Sequence, residues 1–229
     1  MQIEILDDDT AVARRAAAVI AAEARFAVAA RGRFCLAVSG GRTPWAMLRA
    51  LADEDVPWAG VQLFQVDERV APAGDPARNL THIAASLLAH APLPAVQVHA
   101  LPVEAADLAV AARDYGALLR EKCGTPPVLD LVHLGLGPDG HTASLLPGDP
   151  ALDVTDAEVA LTGPYQGHRR LTLTYPVLNA ARRVLWLATG AEKQPMLARL
   201  RAGDRSIPAG RVLRCRAFLL ADVAAGGGG

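Results

Sequence analysis

Cysteine is scarce in this chain, and its distribution excludes several classes of protein. The 229 residues include three cysteines, Cys35, Cys123 and Cys215, which lie far apart and form no Cys-x-x-Cys pair. An odd number of isolated cysteines suits neither a disulfide scaffold nor a zinc site, so we expect no bound metal and a reducing compartment. Cys35 lies inside an apolar run, where a small buried thiol is the simplest interpretation.

The chain also lacks a strong net charge and a long apolar run. Its formal net charge at pH 7 is −1, which provides no basic field to hold nucleic acid non-specifically. No apolar run approaches the roughly 20 residues that a membrane span requires, and the opening stretch MQIEILDDDT does not have the layout of a secretory signal. We therefore expect a cytoplasmic protein without nucleic-acid or membrane partners. Its oligomeric state stays open between a monomer and a small homo-oligomer.

Hydrophobic residues, by contrast, make up 52% of the chain, which is ample for one large core. Apolar runs of strand length alternate with segments of helical periodicity at the spacing of βαβ units. This alternation predicts a single α/β domain over residues 1–223, Rossmann-like, with a doubly wound, mostly parallel sheet and helices on both faces. Residues 224–229 are predicted to be a flexible glycine tail. The predicted strands are 3–6, 34–39, 61–68, 96–101, 128–136, 158–163, 169–175, 183–190 and 216–223. The predicted helices are 10–32, 44–52, 77–91, 104–122, 176–181 and 192–203.

In a sheet of this kind, ligands bind at the carboxyl ends of the strands, and polar residues follow four of the predicted strands. The first group is the stretch SGGRTP. Gly40 and Gly41 let the backbone approach a ligand closely, and the loop N–H groups with the following helix N-terminus form an anion site. Ser39 and Thr43 add hydroxyl groups and Arg42 adds a charge, which favours phosphate binding. The alternative is an ordinary glycine-rich turn with Thr43 as the helix cap.

Two further strand ends carry charged residues. In VDERV, Asp67, Glu68 and Arg69 end an apolar strand, and they form either a solvated turn with a local ion pair or a turn that aims Arg69 at a phosphate. In ATGAEK, Lys193 falls in the first turn of the next predicted helix. A lysine there opposes the helix dipole, which indicates an anion ligand, although an exposed lysine is the commoner case.

The fourth strand end is the stretch GLGPDGHTASLLPG, in which His141 follows Asp139 by two residues. An imidazole accepts a proton near neutral pH, and a nearby carboxylate fixes its tautomer. The stretch TASLL is compatible with a short helix whose N–H groups face the same place. The alternative is an Asp–His turn that caps this helix, but the position after a buried strand and the density of glycine favour catalysis.

Taken together and in this order, these motifs resemble the 6-phosphogluconolactonase family. The resemblance spans about residues 5–220 and is carried by SGGRTP, VDERV…DPARN, GLGPDGHTASLLPG and RLTLTYPVLNAA…ATGAEK. It implies hydrolysis of 6-phospho-D-glucono-1,5-lactone to 6-phospho-D-gluconate in the pentose phosphate pathway, with a phosphorylated sugar lactone as substrate and no cofactor.

The resemblance also implies roles for individual residues. His141 matches the general base of the family, and Asp139 matches the aspartate beside it. Other positions match residues that bind the phosphate, namely Ser39, Gly40, Gly41, Arg42, Thr43, Arg69 and Lys193. Asp67 and Asn79 match polar residues of the substrate pocket.

Two other functions remain open. Glucosamine-6-phosphate deaminases are similar in fold and motifs, but they read GHIAFNEP, with a glutamate in the acid–base work one residue before the proline. This chain has Leu146 at the matching place, and an apolar side chain cannot move protons. A non-catalytic sugar-phosphate-binding protein would keep the phosphate loop and lose catalysis, which the presence of Asp139 and His141 disfavours.

Overall fold

The computed structural model describes residues 1–227, and strands and helices alternate along them. The ten strands of this part of the chain are β1 (Gln2–Leu6), β2 (Phe34–Val38), β3 (Val61–Gln65), β4 (Asp67–Arg69), β5 (Val98–His99), β6 (Leu131–Gly135), β7 (Val159–Leu161), β8 (Arg170–Leu173), β9 (Arg183–Ala188) and β10 (Ala217–Asp222). The seven α-helices are α1 (Asp9–Arg31), α2 (Arg42–Leu51), α3 (Asn79–Ile83), α4 (Leu108–Cys123), α5 (Tyr175–Ala180), α6 (Gln194–Ala202) and α7 (Val223–Gly226). None of the helices within residues 1–227 combines the length and the apolar character needed to cross a bilayer.

Seven of the strands form one sheet in the order β1-β10-β9-β6-β2-β3-β5, and every neighbouring pair is parallel. From β2 the chain winds to one edge through β3 and β5. It then returns to the other side of β2 and winds outwards through β6, β9 and β10. The predicted doubly wound, mostly parallel sheet is therefore confirmed.

The two faces of the sheet each bury a hydrophobic layer, because successive side chains of a strand point to opposite faces. In β2, Phe34, Leu36 and Val38 belong to the cluster that contains the alanine face of α1 and the apolar face of α2. Cys35 and Ala37 belong to the cluster on the opposite face, which includes residues of α4, α6 and the smaller sheet. All five β2 residues are buried, so the strand that leads to the SGGRTP loop is fixed on both sides.

A second sheet has three antiparallel strands in the order β4-β8-β7. The sequence predicts one strand over 61–68, but the structure divides it at Val66. The Val66 N–H donates to the Val38 carbonyl oxygen at 3.0 Å, and its carbonyl oxygen accepts from the Leu173 N–H at 2.8 Å. Val66 therefore hydrogen-bonds to a strand of each sheet, and the chain passes from the large sheet to the small one at this residue. As a result, residues 67–69 lie at the carboxyl edge of the large sheet.

Three local predictions differ from the structure. The helix predicted over 77–91 is α3 followed by a π-helical segment at 84–88. No helix forms over 142–146, where the Leu145 N–H closes a tight turn on the Thr142 carbonyl oxygen. The predicted tail begins too early, since α7 is helical and Ala225 is 1% exposed. Residues 228–229 of that predicted tail lie outside the described residues.

Candidate functional site

The carboxyl ends of β2, β3, β6 and β9 meet around one open cavity of about 280 Å³. This is where a doubly wound sheet binds its ligands, and it is where the polar strand ends were expected to converge. All but two of the eleven residues predicted for the site line this cavity. The two exceptions, Asp139 and Asn79, contact His141 and Arg69, which do line it.

The SGGRTP loop forms one wall of the cavity. Gly41 occupies the N-cap position of α2 with a φ of 124°, a backbone conformation that favours glycine. No side chain among the described residues caps this helix, so its first N–H groups are available to an anion. Thr43 is therefore not the cap; its hydroxyl instead lies 2.6 Å from the hydroxyl of Thr189, which joins the loop to the strand end of β9.

His133 supports this loop from below, a role that the sequence does not indicate. The imidazole is fully buried, and burial lowers its pKa to about 3. The neutral ring accepts a hydrogen bond from the Ser39 N–H on Nδ1 at 3.3 Å, and the Ser39 hydroxyl donates to the His133 carbonyl oxygen at 3.0 Å. Ser39 is thus tied to β6 through both its backbone and its side chain.

Glu68 organises the next wall of the cavity. It is fully buried and accepts hydrogen bonds from the backbone N–H groups of Arg69, Asn79 and Leu80 at 2.7 to 2.8 Å. The Arg78 guanidinium lies 3.5 Å from its carboxylate. Glu68 is therefore not part of a solvated turn, and its carboxylate caps the N-terminus of α3.

Because Glu68 serves as the helix cap, the side chain of Asn79 is free to contact the site. Its Nδ2 donates to the backbone oxygen of Asp67 at 2.9 Å and to the Asp67 carboxylate at 3.3 Å. Its Oδ1 accepts from Arg69 Nη1, which also donates to the Ala77 carbonyl oxygen at 3.2 Å. A Cβ on Gly40 would overlap the Asn79 amide, so a glycine is required where the SGGRTP loop meets this wall.

The pair Asp139 and His141 lies in the turn after β6. His141 Nδ1 is 2.5 Å from Asp139 Oδ1, and the His141 backbone N–H donates to the same oxygen at 3.1 Å. Burial alone would raise the pKa of Asp139, but the hydrogen bonds and the positive charge offered by His141 outweigh it and leave this pKa below its ordinary value. An ionised carboxylate only accepts, so Nδ1 carries a proton, and in the neutral ring Nε2 presents a lone pair.

The same turn needs glycine beside the ring. A Cβ on Gly137 would overlap the imidazole of His141, while the Gly137 N–H donates to the His141 carbonyl oxygen at 2.8 Å. The His141 side chain is 20% exposed. A small, enclosed turn therefore holds the imidazole against Asp139 and leaves one edge of the ring open to the cavity.

Tyr165 and Arg170, which the sequence analysis did not select, lie beside this pair, and Arg170 lines the cavity. The Tyr165 hydroxyl donates to Asp139 Oδ2 at 3.4 Å, and its ring lies 5.9 Å from the His141 ring, edge to face. The Arg170 guanidinium lies 5.0 Å from the centroid of the Tyr165 ring. Burial, followed by the like charge of Arg69, lowers the pKa of Arg170. The basic run HRR at 168–170 was the available signal, but it is equally typical of an exposed loop.

The strand end of β9 supplies Lys193. Gly190, with a φ of 92°, donates its N–H to the Asp222 carboxylate at 3.0 Å, which fixes the turn after the strand. Lys193 is the last residue of a single 3₁₀ turn at 191–193 and directly precedes α6. It lines the cavity together with Thr189 and Glu192. Lys193 and the SGGRTP loop thus approach the cavity from the ends of β9 and β2, which β6 separates in the sheet and the threonine contact joins.

This fold is that of an enzyme family whose members act on phosphorylated sugars. Residues 7–220 match the family described as glucosamine-6-phosphate isomerases/6-phosphogluconolactonase. The chain belongs to this family.

The chain is also similar to individual proteins over most of its length. A protein of a Nostoc species named 6-phosphogluconolactonase is 36% identical over 202 residues, which cover 86% of this chain and 84% of that protein. The crystal structure of 6-phosphogluconolactonase from Thermotoga maritima superposes with a TM-score of 0.86 at 27% identity and covers 96% of this chain and 98% of its own. A monomeric glucosamine-6-phosphate deaminase also gives a TM-score of 0.86, covering 98% of both chains, but its 18% identity indicates the shared fold alone.

Proposed function

We propose that this protein hydrolyses 6-phospho-D-glucono-1,5-lactone to 6-phospho-D-gluconate. The observation that carries the proposal is the Asp139–His141 pair, held at 2.5 Å, in the same cavity as the SGGRTP loop, Arg69 and Lys193. A base with a fixed tautomer and a group of anion-binding elements are the two things that hydrolysis of a phosphorylated lactone requires. The lactonase relatives that match most of the chain support the same activity.

The substrate is held by its phosphate in this proposal. The uncapped N-terminus of α2, the hydroxyl groups of Ser39 and Thr43, and the charges of Arg69 and Lys193 all face the cavity. A phosphate bound there contributes binding energy remote from the reacting carbon, and that energy positions the lactone carbonyl near His141. Because His133 and Glu68 fix the backbone behind these groups, the phosphate site is organised before substrate arrives.

His141 acts as the general base through Nε2, because Nδ1 donates to Asp139. Nε2 takes a proton from a water molecule while the water oxygen forms a bond to the carbonyl carbon and the carbonyl electron pair moves onto its oxygen. When this pair returns, the bond between the carbon and the ring oxygen breaks, and the ring oxygen receives the proton from His141. The carboxylic acid formed then loses its proton to solvent, which balances the reaction as lactone plus water.

A specific observation disfavours deamination of glucosamine 6-phosphate. Leu146 occupies the position of the glutamate that deaminases use, and it is 5% exposed and packed in the core. A buried leucine cannot donate or accept a proton, so ring opening and isomerisation lose a required group.

The test is one assay in which each substrate is supplied separately. We expect accelerated loss of 6-phospho-D-glucono-1,5-lactone above its spontaneous hydrolysis and no release of ammonia from glucosamine 6-phosphate. His141→Ala should lower kcat by about 10²–10⁴ and leave the affinity for 6-phosphogluconate nearly intact. His90→Ala is the matched control, because His90 is an exposed histidine that does not line the cavity. Ammonia release would favour the deaminase, and binding of 6-phosphogluconate without any acceleration would favour a non-catalytic binding protein.

A further inference from the structure

Arg170 is a buried cation whose hydrogen-bonding capacity is largely unused. Its side chain is 4% exposed, and a guanidinium carries five N–H donors. Within the described part of the chain it makes two long hydrogen bonds, from Nη1 to Ser144 Oγ and from Nη2 to Gln166 Oε1, both at 3.4 Å, and Nε has no acceptor. A buried charge with so few partners is costly unless an anion completes its environment.

Arg170 lies beside the proposed general base through a contact that both share with Tyr165. Its guanidinium stacks on Tyr165 at 5.0 Å, and the same tyrosine contacts both His141 and Asp139. Of the proposed phosphate-binding groups, Thr43 is joined separately to Thr189, whereas Arg69 lies opposite Arg170 in the antiparallel pair of β4 and β8. Arg170 lines the cavity, so it adds a positive charge on the side of the general base.

Asp67 orients this cation without neutralising it directly. The Ser144 hydroxyl donates to Asp67 Oδ2 at 2.6 Å and accepts from Arg170 Nη1 at 3.4 Å. Ser144 therefore stands between the carboxylate and the guanidinium. An arginine held through a relay retains donors for a ligand, whereas a bidentate ion pair would consume them.

From this arrangement we infer that Arg170 stabilises the oxyanion that forms when water adds to the lactone carbonyl. The inference rests on the proposed lactone hydrolysis and deepens it. Negative charge develops on the carbonyl oxygen as the new carbon–oxygen bond forms, and the guanidinium donates to that oxygen. The charge disappears from this oxygen when the ring bond breaks, so the interaction is strongest in the transition state and raises kcat. Tyr165 is a positioning residue that holds the guanidinium beside the imidazole.

The experiment distinguishes a contact between Arg170 and the reacting carbonyl oxygen from a contact between Arg170 and the phosphate. Kinetics of Arg170→Gln and Arg170→Lys are measured on the lactone, and binding of 1,5-anhydroglucitol 6-phosphate, which has the ring and phosphate but no carbonyl oxygen, is measured by calorimetry. We expect Arg170→Gln to lower kcat by about 10²–10³. Arg170→Lys should lower kcat less, because it keeps the charge and loses the planar fork. The Kd of 1,5-anhydroglucitol 6-phosphate should stay unchanged in both variants. Arg113→Gln, at an exposed site on α4, is the control.

Two results would overturn this role for Arg170. An unchanged kcat in both variants would remove Arg170 from the reaction, and a Kd weakened as strongly as kcat/KM would make it a phosphate ligand. If Arg170→Gln does not fold, Arg170→Lys decides between the same outcomes. A wild-type protein without lactonase activity would refute the proposed function instead, so the two failures are distinguishable.

Variants of Tyr165 test separately whether its ring positions the Arg170 guanidinium. Tyr165→Phe retains the ring beneath Arg170 and should keep most of kcat, whereas Tyr165→Leu removes the ring and should lower kcat without changing the Kd of 1,5-anhydroglucitol 6-phosphate. The effects of Tyr165→Leu and Arg170→Gln should be less than additive, because the two side chains act as a unit. Full additivity would refute the coupling.

Discussion

Replacement of His133 by asparagine should reduce the loss of unfolding free energy that the protein shows as the pH falls below neutral. His133 is fully buried, and its pKa of about 3 lies well below the ordinary value of 6.5. Between these values the unfolded chain binds a proton at this position and the folded chain does not. Stability from the neutral ring is therefore fully present above about pH 6.5 and is lost as the pH falls towards 3.

The magnitude follows from the size of the pKa difference. One pH unit in this window corresponds to about 1.4 kcal/mol of unfolding free energy. At about pH 4.5, two units below the ordinary value, wild type should have lost about 2.7 kcal/mol through His133 relative to neutral pH. Asparagine keeps an acceptor where Nδ1 receives the Ser39 N–H and does not titrate, so His133→Asn should not show this loss.

The assay is urea unfolding at a series of pH values from about 7.5 to 4.5. Carboxylate contributions common to both proteins cancel when the stability of the variant is subtracted from that of wild type. His90→Asn, which replaces an exposed histidine, should leave the wild-type profile unchanged. Parallel stability profiles for wild type and His133→Asn would refute the reasoning, because they would mean that the buried ring does not titrate differently in the two states.

Two further predictions concern the cavity. Lys193→Ala should raise KM for the lactone and weaken 6-phosphogluconate binding with a smaller effect on kcat, because the proposed function places Lys193 at the phosphate and not at the reacting carbon. Lys122→Ala, at a half-buried lysine of α4 that does not line the cavity, is the control, and a fall in kcat alone would contradict this role. Gly137→Ala should lower kcat with little loss of product affinity, because the alanine Cβ would displace the His141 ring from Asp139. A wild-type kcat in this variant would show that the 2.5 Å contact between His141 and Asp139 is dispensable.

The architecture was predictable because its signal is local and repeated. Each buried parallel strand is a short apolar run, and each run is followed by a segment with helical periodicity. The change of sheet at Val66 was not predictable, since VQLFQVDE is one continuous strand-like run. The break depends on the pairing of Val66 with Val38 and Leu173, partners that are distant in sequence.

Within the site, prediction succeeded where residues end strands and failed where they are buried by distant partners. Glu68 has the composition of a solvated turn, yet the start of α3 and the Arg78 side chain surround it. Arg170 belongs to a basic run, and its burial depends on Tyr165 and Ser144. The convergence of the strand ends follows from topology, whereas the environment of each charge follows from packing.

In the proposed function the cavity has a phosphate end and a reacting end, and this division explains how one fold serves related reactions on phosphorylated sugars. The phosphate end is built from backbone and from groups fixed to the scaffold, such as Ser39 on His133, and it places no demand on the chemistry at the other end. The proposed reacting end is built from side chains on the turn after β6 and on β8, and the two ends meet where Arg170 of β8 lies opposite Arg69 of β4. In this chain the cavity combines His141 with the buried cation Arg170, and a buried Leu146 stands where deaminases have a glutamate. This set fits the proposed addition of water to a carbonyl better than it fits the movement of protons along an open sugar chain.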